Sequence, residues 1–210
     1  MPPPFEWVGN HPVLDFTNTV SWRHAGLANE RLLTYPDLLR WSREAGTLPA
    51  AAVARLARRA AAHPGQAQRV LDAALELRAA LQGTFSAMAR GKPAAAPDLA
   101  AINRILAEAL PRLGLKPTGR GVGLDWKQAP DDLSSPLWAV AWLAARLAMA
   151  DDVPRMGRCA NDECGWLFLD TSRGGRRKWC VMDDCGNRAK VRRHRRRART
   201  CEPGEGPRAA

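Results

Sequence analysis

The sequence predicts a mainly α-helical protein: an N-terminal helical domain with a small β-hairpin, followed by a short basic segment rich in cysteine. Alanine-rich stretches carry apolar residues at three- and four-residue steps, as amphipathic helices require. All five cysteines lie between Cys159 and Cys201. Residues 155–199 carry 14 Lys and Arg against five Asp and Glu, which is +9 of the net charge of +11. We therefore expect a helical domain over 1–153, a second domain over 154–200 and a disordered tail over 201–210.

Capping residues, prolines and apolar periodicity predict the elements of the helical domain in order. Five helices are expected, at about 34–46, 49–62, 66–90, 97–110 and 134–150. Between the last two, apolar residues alternate around Gly and Pro over 111–128, which predicts a β-hairpin. The final helix is apolar on nearly all sides and should therefore lie at the centre of the domain.

The sequence predicts neither a membrane span nor an export signal. The longest apolar run, 136–150, has 15 residues and contains Arg146, which makes it too short and too polar to cross a bilayer. The N-terminus lacks a basic start followed by an apolar segment. We therefore expect a cytoplasmic location, associated with the nucleoid if the partner is DNA.

Four cysteines form two pairs with a spacing typical of metal ligands, Cys159-x4-Cys164 and, fifteen residues later, Cys180-x4-Cys185. In a reducing compartment such pairs supply the four thiolates that Zn²⁺ binds in a tetrahedron. Four sulfur ligands leave no open position for water, so the sequence predicts one structural Zn²⁺ in a zinc finger with two Cys knuckles. The alternative is four unliganded thiols.

The residues around the second pair predict the rest of this finger. Strands over 166–169 and 177–179, joined by a turn over 172–175, would form a β-hairpin between the knuckles. From Cys185 the sequence CGNRAKVRRHRRRAR has eight Lys or Arg and no acid, which predicts a basic helix. Asn187, Val191, His194 and Ala198 form a narrow stripe on this helix that would pack on the hairpin.

A basic helix held by a metal site indicates a polyanion partner, with DNA first and RNA as the alternative. The competing interpretation is a solvated basic tail. The candidate nucleic-acid contacts are Arg176, Arg177, Lys178, Arg188, Lys190, Arg192, Arg193, Arg195, Arg196, Arg197 and Arg199.

A second candidate site lies near the N-terminus, where Asp15, Asn18 and Thr19 stand close in sequence to several tryptophans. These polar groups could line a pocket for a small-molecule effector. The competing interpretation is that they cap a helix beside buried tryptophans.

The cysteine segment resembles a known family. Cys159-x4-Cys164-x-Trp166-x-Phe168-x-Asp170-x-Ser172, Arg177-Lys178-Trp179-Cys180 and Cys185-Gly186-Asn187-Arg188-Ala189-Lys190 are similar to the CGNR zinc finger, with Lys178 at a place often held by Arg. In a bacterial family this finger follows an alanine-rich region called the ABATE domain. Near the start of the chain, Leu14-Asp15-Phe16-x-Asn18-Thr19 is similar to the opening motif of that domain.

The resemblance implies a stress-linked transcription regulator in which the finger binds DNA and the helical domain senses a ligand. It also implies that the four paired cysteines bind zinc and that Arg188 and Lys190 contact DNA. The alternatives are an RNA- or ribosome-binding zinc protein and a protein-interaction module. No Gly-rich phosphate loop, nucleophile elbow or HExxH motif is present, so no enzyme activity is expected. A homodimer is an expected partner because one finger makes a small DNA contact.

Overall fold

The computed structural model describes residues 4–24, 27–119, 121–126, 132–151, 153–161 and 163–200, with only the backbone described for 22–24, 27–28 and 196–200. The tail 201–210, with Cys201, lies outside the described residues. Within them the chain forms seven α-helices and three two-stranded antiparallel sheets. The predicted fold class, mainly helical with small hairpins and a C-terminal cysteine cluster, is confirmed.

All five helices predicted for the N-terminal domain are present, and the domain has one more. The helices are α1 (Pro12–Thr17), α2 (Tyr35–Glu44), α3 (Ala50–Ala62), α4 (Pro64–Met88), α5 (Ala96–Ala109) and α6 (Ser135–Ala148). Its strands are β1 (Val20–His24), β2 (Leu27–Glu30), β3 (Leu113–Thr118) and β4 (Gly121–Trp126). The hairpin β3–β4 was predicted, whereas α1 and β1–β2 were not. No helix in the described part of the chain is both long and apolar enough to cross a bilayer.

Local capping explains where the first two helices begin. In α1, Pro12 opens the helix and the backbone N–H of Val13 donates to Nδ1 of His11 at 3.2 Å. Ahead of α2, Thr34 and Asp37 form a reciprocal capping box, because each side chain accepts a hydrogen bond from the other residue's backbone N–H.

Helix α6 lies at the centre of the domain, as its apolar sequence predicted. Leu137, Trp138 and Val140 are at most 1% exposed, and the helix packs against α1, α2, α4 and α5. The hairpin β3–β4 is less well covered. Leu115 and Leu124 pair across its strands and are 69% and 45% exposed.

The C-terminal segment contains β5 (Met156–Arg158), β6 (Leu167–Leu169), a π-helical turn (Met182–Gly186) and α7 (Asn187–Thr200). Its hairpin differs from the predicted one, because β6 pairs with β5 and residues 177–179 form no strand. The first Cys pair already turns the chain back between β5 and β6. Residues 177–179 instead meet the knuckle through one backbone bond, from Ala160 N to the carbonyl of Lys178 at 2.8 Å.

The outer edge of β6 is completed by the helical domain. The side-chain amide of Asn18 donates to the carbonyl of Leu167 at 2.9 Å and accepts from its N–H at 3.0 Å, as a neighbouring strand would. The N–H of Leu169 donates to the carbonyl of Gly9 at 2.9 Å. Leu167 and Leu169 also belong to the apolar core of the helical domain. The finger's sheet therefore depends on both parts of the chain.

We predict that Asn18→Ala destabilises the zinc-loaded protein by about 2–3 kcal/mol, because it leaves the buried N–H and carbonyl of Leu167 without partners. Chemical denaturation measures the change. Asn103→Ala, at an exposed position of α5, is the matched control and should change the free energy of unfolding by less than about 0.5 kcal/mol. Equal effects of the two substitutions would contradict this role for Asn18.

Candidate metal centre and basic surface

The four paired cysteines converge on one point. The Sγ atoms of Cys159, Cys164, Cys180 and Cys185 all lie within 4.8 Å of one another, with 3.5 Å between Cys164 and Cys180 and between Cys180 and Cys185. All four residues are at most 3% exposed, and none is in a disulfide. A Zn–S bond of about 2.3 Å places tetrahedral sulfur atoms about 3.8 Å apart. The donor set therefore fits one structural Zn²⁺, as predicted.

The pKa shifts of the clustered thiols also favour binding of a cation. Hydrogen bonds from the thiols of Cys164 and Cys180 lower the pKa of Cys159, whereas hydrogen bonding to Cys159 and Cys164 raises the pKa of Cys180. Crowded sulfur atoms thus resist ionising together. A bound divalent cation reverses this, because it stabilises every thiolate at once.

Asn161 supports the metal centre from inside the first knuckle. This fully buried residue accepts the backbone N–H of Cys164 at 2.9 Å on its carbonyl, and its side-chain amide lies 3.5 Å from Sγ of Cys185. Nη2 of Arg192 donates to its Oδ1 at 2.8 Å. Asn161 thereby connects the metal centre to α7. The sequence analysis missed it, and its only signal was its place between two cysteine ligands.

The second pair leads directly into α7. Cys185 and Gly186 are buried in the π-helical turn, and a Cβ on Gly186 would collide with the sulfur of Met182. Asn187, the first residue of α7, donates from its side chain to the carbonyl of Asp183 at 3.1 Å. The metal centre therefore determines where the basic helix begins and how its first turn is oriented.

Arg177, a predicted nucleic-acid contact, has an internal role in the structure. Its guanidinium donates to the carbonyls of Val8 and Cys180 at 2.7 and 2.6 Å, and it stacks 4.1 Å from the centre of the Phe168 ring. These contacts join the N-terminal segment to the second knuckle. Its guanidinium therefore already bonds to groups within the protein.

The other predicted contacts divide into two groups. Arg188 and Arg192 lie 4.0 and 3.8 Å from the carboxylate of Glu163. Five further side chains are exposed and form no ion pair with Glu163, namely Arg176, Lys178, Lys190, Arg193 and Arg195. Arg176 and Lys178 line a groove of about 390 Å³ beside the second knuckle. The side chains of Arg196, Arg197 and Arg199 lie outside the described part of the structure.

The apolar stripe of α7 does not pack as predicted. Val191 is 49% exposed, and Asn187 and His194 are exposed as well. The predicted partner was the hairpin of residues 166–179, but Trp166 and Phe168 are already buried in the cysteine cluster. Helix α7 therefore extends away from the finger after its contact through Arg192.

Asp15, Asn18 and Thr19, the candidate effector site, are buried and bonded within the protein. Asp15 accepts the N–H of Gly9 at 2.7 Å, and Asn18 binds β6. The hydroxyl of Thr19 donates to the carbonyl of Phe16 at 2.8 Å and accepts from Arg78 at 3.0 Å. These bonds give the three residues a structural role, and ligand binding by them stays a prediction.

Two family models match the chain. Residues 10–151 match ABATE, described as "Putative stress-induced transcription regulator", and residues 155–198 match the CGNR zinc finger. These matches confirm the resemblance drawn from the cysteine motifs and from the motif at 14–19. Neither model is described as an enzyme. No curated protein matches the chain.

We predict one zinc ion per chain and its loss in Cys180→Ser, because three thiolates and a hydroxyl bind zinc more weakly than four thiolates. Elemental analysis of the purified proteins measures the metal. Cys201→Ser, at the fifth cysteine, is the matched control and should retain one zinc ion. In the wild type, zinc at 1,000 times its Kd should also raise the free energy of unfolding by about 4 kcal/mol. Equal zinc contents in the two variants would refute the site of four cysteine ligands.

We also predict a pH-dependent effect of Asp15→Asn. Burial raises the pKa of Asp15 to about 6, partly offset by hydrogen bonds from Gly9 and Val8. Between pH 4 and pH 6 the folded state therefore keeps a proton on Asp15 that the unfolded chain loses. The free energy of unfolding of the wild type falls as the pH rises through this range, and the contribution of the protonated carboxyl is lost above about pH 6.

Asparagine does not titrate, so the free energy of unfolding of Asp15→Asn should lack this loss. Its difference from the wild type should shift in favour of the variant by about 1 kcal/mol as the pH rises from 5 to 7.5. Urea denaturation of both proteins measures it, and the titration of the metal site, common to both, cancels in the difference. A difference independent of pH would show that Asp15 does not titrate in this range.

Proposed function

The chain belongs to the ABATE family and ends in a CGNR zinc finger, and from this premise we propose that it is a zinc-dependent, DNA-binding transcription regulator. The observation that supports this most is the exposed basic surface of α7, whose start is set by the buried centre of four cysteines. We propose that it acts on chromosomal DNA in the cytoplasm.

Three side chains of α7 carry the proposed DNA contact. Lys190, Arg193 and Arg195 are exposed, and none of them pairs with an acid among the described side chains. Lys and Arg on a helix can neutralise backbone phosphates and release the counterions bound there. Arg176 and Lys178, exposed beside the second knuckle, extend the same surface.

The aromatic residues of the finger favour duplex DNA over single-stranded nucleic acid. Sequence-specific binding to single-stranded RNA depends on exposed rings on which bases stack. Trp166 and Phe168 are both only 1% exposed, and Nε1 of Trp166 donates to the carbonyl of Val20 at 2.7 Å. They are therefore closed to stacking, whereas Trp179 is half-buried beside the groove of Arg176 and Lys178. With two of its three aromatic rings closed, the finger offers mainly basic groups, which bind phosphates and base edges.

Effector sensing and dimer formation belong to the same proposal. A mostly apolar groove of about 300 Å³ between α2, α3 and α4, lined by Tyr35, Leu39 and Ala60 among others, could hold a small apolar effector. The exposed Leu115, Val122 and Leu124 of β3–β4 offer an apolar surface for a second copy of the chain.

We predict that the zinc-loaded full-length protein binds duplex DNA with log K falling against log[salt] at a slope of about −5, as six phosphate contacts would give. Lys190→Gln/Arg193→Gln/Arg195→Gln should reduce the magnitude of that slope by about 3. The matched control is Arg43→Gln/Arg58→Gln/Arg59→Gln, with the same charge change at exposed positions of α2 and α3.

Fluorescence anisotropy with labelled duplex DNA, single-stranded DNA and structured RNA at one salt concentration completes the test. We expect the duplex to bind most tightly and chelation of zinc to abolish that preference. Tighter binding to RNA would favour the ribosome-binding alternative. Equal slopes for the two triple variants would rule out α7 as the DNA contact.

A further inference from the structure

A cleft of about 460 Å³ lies where the C-terminal third of α4 meets the first Cys knuckle. Its walls are formed by Gln82, Gly83, Ser86 and Arg90 on the helical side and by Arg158, Glu163, Cys164 and Gly165 on the finger side. None of the nucleic-acid contacts predicted from the sequence lies in this cleft. It is open to solvent at the boundary between the two parts of the chain, where binding sites often occur.

A hydrogen bond joins the two walls of the cleft. Nε2 of Gln82 donates to the carbonyl of Gly165 at 2.7 Å and lies 3.5 Å from the hydroxyl of Ser86. Gly165 has φ of +70°, and a Cβ on it would lie 3.4 Å from a guanidinium nitrogen of Arg158. Arg158 therefore reaches the finger side of the cleft, and Ser86, only 7% exposed, offers a hydroxyl on the opposite side.

Two exposed arginines give the cleft its charge. Arg90 follows the end of α4, and Arg158 ends β5 immediately before the first metal ligand. On the same wall, the carboxylate of Glu163 lies 3.8 Å from Arg192 and 4.0 Å from Arg188 of α7. Glu163 therefore lines the cleft together with Arg90 and Arg158 and contacts two arginines of α7. A second acid, Asp98 of α5, packs against Gly83 at the edge of the cleft.

The cleft thus leads from Arg90, at the end of α4, past Arg158 to Glu163, whose carboxylate contacts the first turns of α7. A closed pocket would suit a free metabolite, whereas this cleft is open along a path that continues onto the proposed DNA-binding helix. Duplex DNA presents one phosphate per about 3.4 Å of its axis on each strand, so a strand that follows α7 offers successive phosphates along that path.

We propose that the cleft binds backbone phosphates of the same DNA duplex that α7 contacts, through Arg90 and Arg158. This inference rests on the proposed function and adds a direct contact from the helical domain to it. Contacts to phosphates set the register and orientation of a protein on the duplex. The helical domain therefore helps to position α7 in addition to carrying the finger.

The test uses the zinc-loaded full-length chain and a 20-base-pair duplex over a series of salt concentrations. Because it removes the two arginines that bind phosphate, Arg90→Gln/Arg158→Gln should reduce the magnitude of the salt slope by about 2 and weaken binding roughly 60-fold at 0.1 M salt. Arg58→Gln/Arg59→Gln removes the same charge from exposed positions of α3 and should leave the slope unchanged.

A charge-retaining variant separates an electrostatic role from a structural one. Arg90→Lys/Arg158→Lys should keep the wild-type slope, because lysine also neutralises a phosphate. All variants should hold one zinc ion and unfold at the wild-type temperature. If the glutamine variant keeps the wild-type slope while the wild type binds DNA, the cleft proposal is wrong and the proposed function stands. If the wild type binds no DNA, the proposed function itself fails.

A free phosphate anion could bind the same arginines in place of a phosphate of DNA. Inorganic pyrophosphate is the probe for this alternative. In a thermal shift measurement we expect pyrophosphate to stabilise the wild type and the glutamine variant equally or not at all. Stabilisation that requires Arg90 and Arg158, together with unchanged DNA binding, would identify the cleft as a small-anion site and overturn the proposal.

Discussion

The convergence of four buried sulfur atoms is the constraint on which the C-terminal part of the structure depends. A segment of this length has too little apolar surface to fold alone, and its core consists largely of the metal ligands with Trp166 and Phe168. Because crowded thiols resist ionising together, we expect zinc binding and folding of this segment to occur as one event. The start and first turn of the basic helix follow from that event.

The metal centre acts together with a second constraint, the shared sheet edge. Strand β6 pairs with β5 on one side and with the side chain of Asn18 and the backbone of Gly9 on the other. A two-stranded hairpin alone is marginal in water. The helical domain supplies the third row of hydrogen bonds, so the orientation of the finger on that domain is set by buried contacts and not by a flexible linker.

This attachment gives the basic residues different roles although they look alike in sequence. Arg177 stabilises the junction through carbonyls and the ring of Phe168, and Arg192 holds Asn161 beside the metal centre. Lys190 and Arg195 stay exposed.

Local physics made part of this protein predictable from its sequence. Apolar periodicity and caps predict the helices, the spacing of Cys159, Cys164, Cys180 and Cys185 predicts the metal site, and the basic run after Cys185 predicts a basic helix. Contacts between residues far apart in the chain decided the rest. Asn18 and Leu167 are 149 residues apart, and no periodicity encodes such a pair. For the same reason the bond from Arg177 to the carbonyl of Val8, 169 residues away, became visible only in the tertiary structure. The pairing of β5 with β6 is local, but the sequence offered residues 177–179 as a competing partner for β6.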